Sequence, residues 1–135
     1  MIKINSQNVL EVSDLNTWYG DKKILSDINL NVSHKEIMVI MGHSGSGKST
    51  LLRYILGLEK TKTGLIKLLD KEITNLNKKE LYRLRKRIGV AFQSGALFSS
   101  MTVRENIELP LHENTELDEE TIHIMSRLKL ELMQL

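Results

Sequence analysis

The amino-acid sequence predicts an α/β fold, and three observations lead to that prediction. Residues 8–18 and 24–32 alternate apolar and polar side chains, which is the period of a half-buried strand. Residues 37–41 form a continuous apolar run of the kind that a strand buried on both faces needs. After a glycine-rich loop, apolar side chains recur at helical spacing in Leu51, Leu52, Ile55 and Leu56. The predicted order is an antiparallel β portion, a buried strand, a loop and a helix.

The strands that remain follow in chain order. Residues 19–21 predict the turn between the first two strands, and Gly57 is predicted to close the first helix. A further strand is expected at residues 65–69, ending in a turn at residues 70–71, and a short strand at residues 88–92.

Three more helices are predicted. Asn77 is a candidate cap for a basic helix, with Glu80 completing a capping box and Leu81, Leu84 and Ile88 forming the buried stripe. A short helix is expected from Thr102 or Val103. From about Asp118 the chain shows helical spacing of the apolar residues Ile122, Met125, Leu128, Leu132 and Leu135.

Composition restricts the class of protein. The 135 residues suffice for one domain, and the fractions of 41% hydrophobic and 27% charged residues are those of a globular chain. No apolar run approaches the roughly 18 residues of a membrane span, and no signal-peptide pattern is visible, so a cytosolic location is expected. The chain has no cysteine, which excludes disulfides, thiol catalysis and zinc–thiolate sites.

The net charge of +2 is too small to indicate nucleic-acid binding, and we expect no nucleic-acid partner. Basic side chains nevertheless crowd residues 78–87. A solvated helix face, a lipid-headgroup contact and a nucleic-acid patch are all compatible with that stretch.

Residues 42–49, Gly-His-Ser-Gly-Ser-Gly-Lys-Ser, match the phosphate-binding loop G-x-x-x-x-G-K-[ST]. Three glycines allow the backbone N–H groups to turn toward an anion at the start of the next helix. Lys48 is predicted to contact the β- and γ-phosphates, and Ser49 to offer a hydroxyl to Mg²⁺. The predicted ATP-binding set is Gly42, Ser44, Gly45, Ser46, Gly47, Lys48, Ser49 and Thr50, in which Ser46 and Thr50 are loop and helix-start residues.

Gln93 is a second candidate, because it leaves the predicted strand at residues 88–92. A glutamine carbonyl at such a point can reach a magnesium ion or an attacking water. Lys48 and Gln93 are therefore the catalytic candidates, and Ser49 and Gln93 the candidate metal ligands.

These stretches, together with residues 24–30 and 87–93, resemble the ATP-binding cassette (ABC) transporter ATPases along nearly the whole chain. The resemblance implies a partial P-loop, RecA-like core with an N-terminal antiparallel β portion and the start of a helical subdomain. It makes Gln93 the Q-loop glutamine and Tyr19 the aromatic residue that stacks on adenine. Trp18 is the alternative for the second role, and either ring could instead cover the sheet edge. The implied ligands are ATP and Mg²⁺.

The continuation at residues 92–111 resembles, within this family, the ATPases of phospholipid-trafficking systems. That resemblance implies a peripheral subunit on the cytoplasmic face of the inner membrane, paired with a second ATPase subunit in the complete protein. A permease is expected to dock on Leu97, Phe98, Met101 and Val103. A non-transport ABC protein and a nucleotide-binding regulatory remnant are the alternatives.

The sequence departs from the family pattern in two ways. Lys35 and His43 stand where the family usually has glycine and proline. The Leu-Ser-Gly-Gly signature does not occur, and no apolar strand ending in Asp-Glu follows Gln93. The switch histidine is missing as well, since His112 and His123 lie in the wrong context for it. We therefore expect residues 1–135 to be the N-terminal part of one ATP-binding domain that does not hydrolyse ATP alone.

Overall fold

The structure, a computed structural model, describes residues 7–134. The chain folds into two compact units, and the boundary between them lies between residues 88 and 89. The first contains the sheet and two helices, and the second contains two further helices.

The first unit is built on a four-stranded antiparallel sheet. Its strands are β1 (Asn8–Tyr19), β2 (Lys22–Ser33), β3 (Thr63–Leu68) and β4 (Lys71–Glu72), in the order β2-β1-β3-β4. Val12, Leu15 and Ile66 lie in one core cluster, where each is almost completely buried. Strict alternation would place Val12 and Leu15 on opposite faces, and an irregularity in β1 between them, with φ of +49° at Asp14, brings Leu15 to the buried side. The antiparallel β portion and its first turn are thus confirmed.

Two helices cover that buried face. The helix α1 (Lys48–Ile55) contributes Leu51 and Tyr54 to the core, and α2 (Lys78–Arg85) contributes Leu84. Leu52, predicted for the same stripe as Leu51, is instead 41% exposed. A short 3₁₀ helix (Ile73–Asn75) leads from β4 toward α2.

Side chains of α2 cap both α-helices of this unit. The predicted capping box is confirmed, because Asn77 Oδ1 accepts a hydrogen bond from Glu80 N at 3.0 Å and Glu80 Oε2 accepts one from Asn77 N at 3.1 Å. Arg85 donates to the carbonyl oxygens of Leu56 and Gly57, at 3.0 and 2.6 Å. These carbonyls follow the last turn of α1, where a cation also complements the helix dipole.

Two predicted strands are not formed among the described residues. Residues 37–41 and 88–92 lie outside any sheet, and residues 37–41 are exposed, with Ile37 at 91% and Met41 at 87%. A parallel strand needs hydrogen-bonded neighbours and covered faces, and the described strands pair only with one another. The predicted burial of residues 37–41 is therefore wrong for this chain.

The second unit is a helical hairpin of α3 (Val103–Asn114) and α4 (Glu119–Leu132). Both starts agree with the sequence prediction, since Thr102 and Asp118 are the caps. Hydrogen bonds from the backbone N–H and hydroxyl of Thr102 lower the pKa of the Glu105 carboxyl below its usual value of 4.5. That cap fixes where α3 begins.

The contact between α3 and α4 is narrow. Ile122 and Ser126 are buried, and the Ser126 hydroxyl donates to Glu108 Oε1 at 2.9 Å. Met125, Leu128 and Leu132, which share the helical spacing of Ile122, are exposed. Leu135 lies outside the described residues.

Gly64 is the position in the sheet where a side chain is least tolerated. Its φ is +84°, and an added Cβ would lie 2.6 Å from both the Asp14 carbonyl oxygen and the Leu15 Cα. We expect Gly64→Ala to lower the free energy of unfolding by about 1–3 kcal/mol, which is the range for a strained backbone conformation. Urea unfolding of Gly89→Ala, where nothing lies within 4 Å of the new Cβ, provides the control.

A candidate phosphate-binding loop

The loop at residues 42–47 leads directly into α1. Gly45 and Gly47 have φ values of +79° and +94°, and Gly47 is the N-cap residue without a side-chain cap. A Cβ on Gly47 would approach Leu25 Cδ2 to 2.7 Å. The backbone conformation at residue 47 therefore favours glycine, and any larger residue would also displace the Leu25 side chain of β2.

Lys48 folds back over this loop from the first position of α1. Its ammonium donates to the carbonyl oxygens of Gly42 and His43, each at 2.8 Å, and to Ser46 Oγ at 3.3 Å. The positive charge is thus fixed above the loop and beside the start of the helix.

The hydroxyl groups around the loop differ in exposure. Ser49 is exposed on the first turn of α1, whereas Ser46 and Thr50 are half-buried. The exposed ring of His43 has its Nδ1 2.7 Å from the Ser44 carbonyl oxygen. This arrangement leaves the Ser49 hydroxyl accessible.

These features fit a polyphosphate. The N–H groups of a first helical turn have no partner within the helix, and they carry the positive end of its dipole. Gly45 and Gly47, which have positive φ, and the Lys48 ammonium all lie at the same end of α1. Within residues 7–134 no cluster of three or more His, Asp or Glu side chains could hold a metal ion.

Tyr19 ends β1 and is 53% exposed. Its hydroxyl donates to Glu59 Oε1 at 3.3 Å, and Arg53 Nε lies 2.8 Å from the same oxygen. Burial raises the pKa of the neighbouring Tyr54, and the Glu59 charge raises it further. Sequence reasoning missed the contact with Glu59, because 40 residues separate it from Tyr19.

Trp18 has a different environment. The Lys23 ammonium lies 5.6 Å from the centroid of its ring, and the ring is half-buried. Trp18 also lines an open groove of about 370 Å³ with Gly20, Asp21, Lys62 and Thr63. Of the two candidate rings, that of Tyr19 is the more exposed.

Gln93 lies in the second unit, in an exposed turn. Its predicted strand is not formed, and its roles toward Mg²⁺ and water remain predictions.

Asn106 organises the loop that carries the predicted docking residues. Its Oδ1 accepts from Phe98 N at 2.8 Å, and its Nδ2 donates to the carbonyls of Phe98, Met101 and Thr102 at 3.1, 3.3 and 2.9 Å. This clamp fixes the backbone of residues 98–102. The four predicted docking side chains remain exposed: Leu97, Phe98, Met101 and Val103.

An apolar groove of about 390 Å³ adjoins this loop within the second unit. It is lined by Leu97, Val103, Asn106, Ile107, Lys129, Leu130 and Met133. Two of the docking residues thus border a concave apolar surface.

The family model for ABC transporters matches residues 25–134 of this chain. The chain belongs to the ABC transporter family. The intermembrane phospholipid transport ATP-binding protein MlaF of Haemophilus influenzae is 41% identical over 130 residues, which are 96% of this chain. The methionine import ATP-binding protein MetN of Clostridium tetani is 43% identical over 103 residues, or 76% of this chain and 32% of the relative.

Solved ABC cassettes share the fold. A dimeric bacterial ABC transporter cassette superposes with a TM-score of 0.84 and 31% identity, covering 93% of this chain and 57% of that chain. A dimeric cassette in a post-hydrolysis state, bound to ADP and phosphate, superposes with a TM-score of 0.82 and 30% sequence identity, with the same coverage of both chains. The α/β P-loop class is confirmed. The chain spans 49% of the length of the Haemophilus relative.

Proposed function

We propose that this chain supplies the phosphate-binding part of an ATP-binding subunit of an ABC transporter. The observation that carries the proposal is the loop, where Lys48 and two left-handed glycines meet the start of α1. When bound, Mg-ATP supplies the phosphate anhydride whose hydrolysis drives ABC transporters. Lys48 and the loop N–H groups would hold the phosphates, and Ser49 would offer an oxygen to Mg²⁺.

Phospholipid is the cargo that we propose. The phospholipid-transport relative aligns over 96% of this chain, whereas the methionine-import relatives align over about three quarters of it at similar identity. The Ser-Gly-Ala-Leu-Phe segment at residues 94–98 is the further support. Methionine import is the second candidate, because those relatives are 42–43% identical.

A transport assay separates the two cargoes. The complete protein, assembled with its own permease in proteoliposomes, should transfer fluorescent phospholipid in an ATP-dependent manner without taking up labelled methionine. Uptake of methionine without transfer of phospholipid would instead support methionine import.

We further propose a place for this subunit on the cytoplasmic face of the inner membrane, with residues 1–135 belonging to one ATP-binding domain. No helix within residues 7–134 is long and apolar enough to cross a membrane. A permease would dock around Phe98, and a second ATPase subunit would complete the assembly. One ABC transporter cassette of this fold is dimeric in two solved structures.

Turnover by residues 1–135 alone is not expected. The loop can hold phosphates, but phosphoryl transfer also needs a carboxylate that holds the metal and a residue that positions the water. ATPase activity that disappeared in Lys48→Ala would contradict this proposal.

Tyr19 is proposed to stack on adenine. We expect Tyr19→Ala to weaken ATP binding by about 1–3 kcal/mol, as is typical of base–aromatic stacking. Tyr82→Ala is the matched control, since Tyr82 is similarly exposed on α2. Calorimetry of both variants and of Trp18→Ala tests the assignment, and a loss confined to Trp18→Ala would transfer the role to that ring.

A further inference from the structure

Basic charge in the first unit is concentrated on α2. The ten residues 78–87 carry six basic side chains and one acidic one, whereas the whole chain has a net charge of only +2. The other residues together are therefore net acidic. The cluster is a local feature that the overall composition conceals.

Two of these cations have visible roles within the unit. Arg85 caps the end of α1, and the Lys86 ammonium lies 4.9 Å from the centroid of the Tyr82 ring. In contrast, within residues 7–134 the side chains of Arg83 and Arg87 make no hydrogen bond or ion pair. These two guanidinium groups are available to an external ligand.

Arg83 and Arg87 border one pocket of about 250 Å³. Arg83 lies on α2, and Arg87 lies in the turn that directly follows it. Lys71, from β4, lines the pocket as well. Three cationic side chains from two elements therefore surround a single concavity, which we call the basic pocket.

The remaining lining of the basic pocket is apolar apart from one carboxylate. Leu76 and the buried Leu84 contribute the apolar surface. Glu80 also lines the pocket, but its Oε2 accepts the capping hydrogen bond from Asn77 N. The pocket thus combines a net positive charge with an apolar floor.

We propose that the basic pocket and the surrounding surface of α2 bind anionic phospholipid headgroups at a membrane surface. A headgroup presents a phosphate next to apolar glycerol and acyl carbons, which matches cations around an apolar floor. Clusters of four to eight Lys and Arg on a helix are attracted to anionic leaflets. This contact is separate from the cargo site and does not depend on which cargo the transporter moves.

The residues that line the basic pocket favour a lipid headgroup over a nucleic acid as the ligand. Single-stranded nucleic acid is held by several aromatic side chains on which successive bases stack. The basic pocket has no aromatic lining residue, and α2 carries a single one, Tyr82, which lies under the Lys86 ammonium. Binding of RNA is nevertheless a distinct outcome of the test.

The test is sedimentation of residues 1–135 with phosphatidylethanolamine vesicles, with and without phosphatidylglycerol. We expect binding only when phosphatidylglycerol is present, and weaker binding at high salt. Arg83→Glu with Arg87→Glu should lower the vesicle affinity by on the order of tenfold or more. Lys22→Glu with Lys60→Glu makes the same change in charge at exposed sites outside α2 and should retain most of the binding.

Circular dichroism checks that both charge-reversal variants fold. Arg83→Gln with Arg87→Gln removes the two charges without reversing them and should lower the vesicle affinity by a smaller factor. Equal sedimentation with both vesicle types would overturn the proposal. An equal loss in the control pair would also overturn it, because the effect would then come from overall charge. A short RNA that binds more tightly than the anionic vesicles would assign the basic pocket to nucleic acid instead.

Discussion

Lys48→Ala is expected to lower the affinity for Mg-ATP by roughly 10- to 100-fold, since hydrogen bonds to charged groups each contribute about 1.5–3 kcal/mol. The substitution removes the ammonium that lies over the loop, but it leaves the glycine conformations and the helix start in place. Isothermal titration of the wild-type chain and the variant measures the difference.

The affinity of the wild-type chain for Mg-ATP depends on an exchange of hydrogen bonds at Lys48. The ammonium donates to two loop carbonyls and to Ser46 Oγ, so a phosphate must replace some of these contacts. We therefore expect the wild-type chain to bind Mg-ATP weakly. Lys79→Ala, an exposed lysine on α2 in the same unit, is the control and should bind as the wild type does. Equal affinity of Lys48→Ala and the wild type would show that the loop does not bind the phosphates as proposed.

Local patterns in the sequence were enough to predict most of the helices and the β hairpin. The capping box at Asn77, the start of α3 near Thr102 and the alternation within parts of β1 each depend on residues close in sequence, and local patterns report such relations directly. Of the three loop glycines singled out in the sequence, Gly45 and Gly47 have positive φ and Gly42 does not. Nothing distant in sequence was needed for these predictions.

The strand at residues 37–41 shows where local reasoning fails. An apolar run predicts what a segment can bury, but burial requires neighbouring strands and covering helices. Within residues 7–134 no strand pairs with this segment, and Val39 is 72% exposed. The pattern at residues 88–92 fails for the same reason.

Contacts between residues far apart in sequence were also missed. Arg85 was counted among the basic residues of a helix face, yet it caps α1 from 28 residues away. The Asn106 clamp depends on the return of the loop to the start of α3, which no periodic pattern encodes. Both roles require the folded geometry of two elements.

Phe98→Asp is expected to abolish co-purification of the complete protein with its permease while leaving ATP binding intact. Phe98 is 57% exposed, and its backbone is held at both N–H and C=O by Asn106. A carboxylate at this position would have to be desolvated against an apolar partner, which carries a large penalty. Because the clamp uses only the backbone of residue 98, the loop should keep its conformation in the variant.

Two further variants separate the side chain from the loop that presents it. Leu117→Asp introduces the same charge at an exposed leucine of the second unit that lies outside the clamped loop. This variant should still co-purify with the permease. Asn106→Ala removes all four hydrogen bonds of the clamp but leaves Phe98 in place. It should weaken docking less than Phe98→Asp, because a loosened loop can still reach the docked conformation at an entropic cost. If Phe98→Asp assembled and transported normally, the permease would have to dock elsewhere, and residues 94–98 would no longer support phospholipid as the cargo.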